Sequence, residues 1–121
     1  MAKSIYQVAD LFEKKLLKLA GYPDVTTVTP IVERTVESAK SSNKQLLGAV
    51  KRVDNVNVQN NIDNMSVYFQ LSIEPKQYAQ LANEPYKSDI TNYLKPIVEQ
   101  ALNANFRQFE FKVKIGLVPL M

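Results

Sequence analysis

The chain has 121 residues, 45% of them apolar and 22% charged, with three glycines and neither cysteine nor histidine. That balance suits one folded domain spanning residues 1–121 and excludes a disordered chain, while the missing thiol and imidazole groups remove disulfides, thiolate nucleophiles, favoured zinc ligands and the commonest general base. Fifteen basic and 12 acidic residues leave a net charge of +3, spread along the chain and too mild to dictate a nucleic-acid or lipid partner.

Ser4 and Gln7 have the spacing of a capping box, and Ile5, Val8, Leu11, Phe12, Leu16 and Leu19 follow at helical spacing. This predicts a helix ending near Gly21, with charges at Asp10, Glu13, Lys14 and Lys15 that interrupt any signal-peptide core. No run approaches the ~18 apolar residues of a membrane span, and a cytoplasmic location is expected. Tyr22 to Thr29 reads as a loop. Thr29-Pro30 is a helix start signal, and Ile31, Val32, Val36, Ala39, Leu46, Ala49, Val50 and Val53 extend a helical pattern that Ser41-Ser42-Asn43 can interrupt.

From Asp54 the period changes to two. Val56 and Val58 alternate with asparagines, and beyond an Asn60-Asn61 turn Val67, Phe69, Leu71 and Ile73 share a face. The pattern predicts a hairpin with a polar edge strand and a central second strand. After Pro75 come a short helix over Lys76 to Asn83 and, capped by Ser88, a longer one bearing Ile90, Tyr93, Leu94, Ile97, Val98, Ala101 and Leu102, with Pro96 on its polar side. A last strand alternates Phe109, Phe111, Val113 and Ile115 with Glu110, Lys112 and Lys114. The expected fold is α+β, a small antiparallel or mixed sheet of about three strands with helices on one face, in the order α-α-β-β-α-α-β. An antiparallel sheet is the simplest arrangement.

The oxygen-rich stretch from Asp54 to Asp63 fails as a calcium loop, because its third and fifth positions are Val56 and Val58 and it has no glycine. Glu33, Glu37, Glu99 and Glu110 fall on polar faces, and no phosphate-cradling glycine loop occurs. No catalytic residue, metal ligand or cofactor is assigned, and the expectation is a protein that is not an enzyme. The apolar tail from Gly116 to Met121 seeks cover on its own core or on a neighbour. Leu117, Val118, Leu120 and Met121, with Val56 and Val58 of the edge strand, are the candidate partner-binding residues; Lys40, Lys44, Lys51 and Arg52 are the candidates for weak nucleic-acid contact.

From Pro30 onward the element order resembles a type II K-homology domain, but Asn83-Glu84-Pro85-Tyr86 stands where such domains have their Gly-x-x-Gly turn. Phe12-Glu13-Lys14-Lys15-Leu16, Pro30 with Glu33, Val67 to Ser72, Gln77-Tyr78-Ala79-Gln80-Leu81 and Phe111 to Ile115 are similar to segments of the N-terminal domain of unknown function in actinobacterial forkhead-associated proteins. The chain departs from it in lacking glycines before Pro30 and a following forkhead-associated domain, so phosphothreonine recognition does not carry over. The resemblance implies a bacterial cytoplasmic interaction module. Composition and resemblance together favour a non-enzymatic interaction or assembly domain that binds a protein or itself. The alternatives are a structural subunit of a phage or virus particle and a weak single-stranded nucleic-acid binder.

Overall fold

The computed structural model of the chain describes residues 23–121, so the helix expected over residues 4–21 lies outside the described residues. Helix α1, Val25–Ser42, starts at Asp24, whose carboxylate accepts the Thr27 N–H at 2.8 Å while Thr27 Oγ1 accepts the Asp24 N–H at 2.9 Å. This reciprocal cap satisfies two donors that a helix start leaves free. The helix therefore begins before Thr29-Pro30 and takes in most of the expected loop. Val25 to Thr29 are all β-branched and poor helix formers, but Val28 and Val32 are completely buried, and packing outweighs propensity. Pro30 is exposed inside α1, as is Thr26, whose carbonyl loses its usual helical partner to the proline.

Asn43 divides the helical stretch. Its N–H donates to the Ala39 carbonyl at 2.9 Å, and its side chain accepts the Leu46 N–H at 3.2 Å, closing α1 and opening the single turn α2, Lys44–Leu47. Strand β1 then runs Val50–Asn60 and pairs antiparallel with β2, Met65–Ile73. Val50 and Val53 thus belong to a strand and not to the expected helix. Val50 lies opposite Ile73 and Val53 opposite Leu71, with a register shift after Val50 and another between Asp54 and Asn57. Each shift adds a residue to β1, so its inward valines fall three apart, which in sequence looks helical. Asn55, in the second irregularity, has φ of 54°, a conformation asparagine tolerates.

Pro75–Leu81 forms α3 and Tyr86–Asn105 forms α4. Ser88 lies within α4 and does not cap it; the Lys87 and Asp89 N–H groups already reach back to the Asn83 and Pro85 carbonyls at 3.0 and 2.9 Å. Pro96 is exposed on α4, as its place on the polar side predicts. The two helices carry the chain back so that β3, Phe111–Pro119, runs parallel to β2, as a long crossover permits. The fold is α+β, and the three-stranded sheet, in the order β1-β2-β3, is mixed.

Met65, Val67, Phe69, Leu71 and Ile73 of central β2 point to the helices and are buried with Val28, Val32 and Val36 of α1, Ile90, Leu94, Val98 and Leu102 of α4, and Phe111 and Val113 of β3. Each such side chain contributes about 1.5–3 kcal/mol relative to exposure. One apolar cluster thus holds all three strands against one helical layer.

Candidate functional site, the outer face of the sheet

Because strand side chains alternate, burying odd-numbered residues of β2 and β3 turns their even-numbered residues outward. Register places Asp54, Gln70 and Gly116 in one row, Arg52, Ser72 and Val118 in the next, and Asn57, Tyr68 and Lys114 towards the other end, with Ser66 and Lys112 beyond. Tyr68, Asn57, Lys112 and Lys114 are exposed.

Two hydrogen-bond chains organise this face. Arg52 Nε donates to both carboxylate oxygens of Asp54, at 3.1 and 2.8 Å, and the hydroxyl of Ser72, which is only 2% exposed, donates to the same carboxylate. The Ser72 hydroxyl above all, and then Arg52, hold the Asp54 carboxyl below its ordinary value. Asp54 is thereby a fixed anion at neutral pH. In the second chain the Asn55 amide donates to Gln70 Oε1 at 2.6 Å and Gln70 Nε2 donates to the Tyr68 hydroxyl at 3.3 Å. The hydroxyl end of Tyr68 rests against Gly116: a methyl group there would stand 2.6 Å from Tyr68 Oη and 3.4 Å from Cζ.

Arg52, Asp54, Asn55, Gln70 and Ser72, with Val118, Pro119 and Met121, line a groove of about 430 Å³. One wall comes from β1 and is polar; the other comes from the chain end and is apolar. A larger depression of about 550 Å³ between α1 and α4 includes Ile31, Ala39, Tyr93 and Ile97, with Arg34 beside them.

The sequence-derived candidates divide between core and surface. Gly116 to Pro119 of the tail are strand residues aligned with Gln70 to Ile73, and the Leu120 N–H donates to the Ile73 carbonyl at 2.8 Å. Leu117, Val56 and Val58 pack partly against the core, whereas Val118 and Met121 line the groove and Met121 is fully exposed. Lys40, Lys51 and Arg52 border a crevice of about 120 Å³ that also contains Glu33 and Glu37. Lys51 lies 3.9 Å from Glu74, and Lys44 lies apart on α2. This basic set is interleaved with acids.

Tyr68, Gln70 and Ser72 were missed as site residues by sequence reading, and Gly116 entered only as the start of the apolar tail. They are the polar half of an alternating pattern whose apolar half defines the strands, and only register brings them beside Asp54 and Lys114. Among the described residues no group of three or more acids gathers to hold a metal ion, and no helix is long and apolar enough to cross a membrane. No known family, curated protein or solved structure matches the chain.

Proposed function

We propose that the chain is a non-enzymatic protein-interaction or assembly module, and that the groove between β1 and the chain end is its contact surface. The supporting observation is the pairing of walls: Val118, Pro119 and Met121 present apolar surface opposite the Arg52–Asp54 pair and Asn55. An apolar patch beside fixed polar groups combines desolvation energy with directional hydrogen bonds, the usual composition of a protein contact. The Asp54 carboxylate, held ionised by Ser72 and Arg52, serves this reading as a charge and an acceptor. It is poorly poised for proton transfer near neutrality.

Sedimentation over a range of concentrations, together with cross-linking in the native cells from a photoreactive residue at position 121, tests the proposal. A defined oligomer or a recurrent protein adduct is expected, weakened by Val118→Lys. A monomer at every concentration that yields no adduct contradicts it.

A further inference from the structure

The other end of the same face carries different chemistry. Tyr68 stands on the central strand with 38% of its surface exposed, its hydroxyl accepting from Gln70 Nε2 and the hydroxyl end of its ring resting on Gly116 beside the Gln70 side chain. An aromatic ring exposed on a sheet is a platform on which a flat partner can stack. Lys114 is directly across from Tyr68 on β3, Lys112 is across from Ser66, and both lysines are exposed without an ion pair among the described residues. Asn57 is across from Tyr68 on β1, and Gln59 across from Ser66, so amides flank the ring on the opposite side. Asp54, the acid in the paired rows of this face, is neutralised by Arg52, and Glu110, exposed just before β3, is the acid nearest Lys112 in the chain.

A flat group satisfies the ring, an anion satisfies the lysines, and a hydrogen-bonding edge satisfies the amides. Single-stranded nucleic acid carries all three on one polymer. We infer that the Tyr68 end of the outer sheet face binds single-stranded nucleic acid, with one base stacked on the Tyr68 ring and the adjoining phosphates held by Lys112 and Lys114. An acidic peptide would satisfy the lysines but leave the ring unused, and a duplex keeps its bases stacked on one another. This site is separate from Lys40, Lys44, Lys51 and Arg52, and it goes beyond the protein contact proposed above.

Fluorescence anisotropy of labelled 12-nucleotide oligo(dT) and oligo(U), titrated with the full chain at low and moderate salt, tests the inference. Binding is expected at low salt, with Tyr68→Phe retained and Tyr68→Ala weaker by roughly 5- to 150-fold, the range of one base stack. Lys112→Gln and Lys114→Gln should each lower the slope of log affinity against log salt by about 0.7, as for one phosphate on a single strand. The lysines are exposed, so these variants keep the readout if Tyr68→Ala proves unstable by circular dichroism. No binding at low salt overturns the inference, as does binding that neither Tyr68→Ala nor the lysine variants reduce, or equal affinity for a 12-base-pair duplex.

Discussion

Ser72, on the central strand, donates its hydroxyl to the carboxylate of Asp54 on the neighbouring strand, 18 residues earlier in the chain. Ser72 is the buried polar residue of the outer face among the described residues, and its partner is also gripped by Arg52. A hydroxyl out of reach of water needs such an acceptor, and the same bond keeps Asp54 ionised.

Acid should weaken the fold through Asp54. A carboxyl whose folded value is depressed contributes stability above its unfolded value, about 3.9, and that contribution disappears as pH falls through the folded value. Denaturant midpoints measured from pH 7 down to pH 2 should decline below about pH 4, and Asp54→Asn should flatten that decline. Equal pH dependence in both proteins would show that the carboxylate is not linked to folding. Ser72→Ala should cost about 1 kcal/mol at neutral pH.

The start of α1 separates two threonines by role. Asp24→Ala breaks the reciprocal cap with Thr27 and should cost about 1 kcal/mol. Thr29 Oγ1 is buried without a hydrogen-bond partner among the described residues, so Thr29→Val should be neutral or stabilising by up to about 1 kcal/mol. Thermal unfolding distinguishes this from a helix capped by Thr29, for which the two effects would be exchanged.

Gly116 and Tyr68 should show energetic coupling. Gly116→Ala places a methyl group against Tyr68 Oη and forces the ring to lift, whereas in Tyr68→Ala the space is free. A double-mutant cycle of unfolding free energies should return a coupling of about 0.5–3 kcal/mol, the range for contacting residues. Additive effects would mean that the ring does not rest on Gly116.

Removing residues 116–121 should unfold the protein and not merely stop association, because Gly116 to Pro119 are aligned with Gln70 to Ile73 in the ladder. Four of the nine residues of β3 would be lost, and the Ile73 carbonyl would lose Leu120. Loss of the cooperative circular-dichroism transition is the expected result. A truncated chain with an unchanged midpoint would place the tail outside the fold.

Apolar spacing by itself determined the central strand, the amphipathic α4 and the α+β class, because Val67 to Ile73 and Ile90 to Leu102 repeat at periods that only one type of element can bury. Asn43 as a helix breaker and β1 as an edge strand were also legible, from asparagine's local hydrogen bonding and from β1's polar alternation. Tertiary structure alone decided that Val50 and Val53 are strand residues, since bulges in the pairing with β2 set their spacing. It alone made β3 parallel, and it alone assembled the outer face. Arg52, Ser72 and Val118 lie far apart in the chain and are joined by register, which depends on how strands pair across the whole sheet and leaves no trace in any one segment.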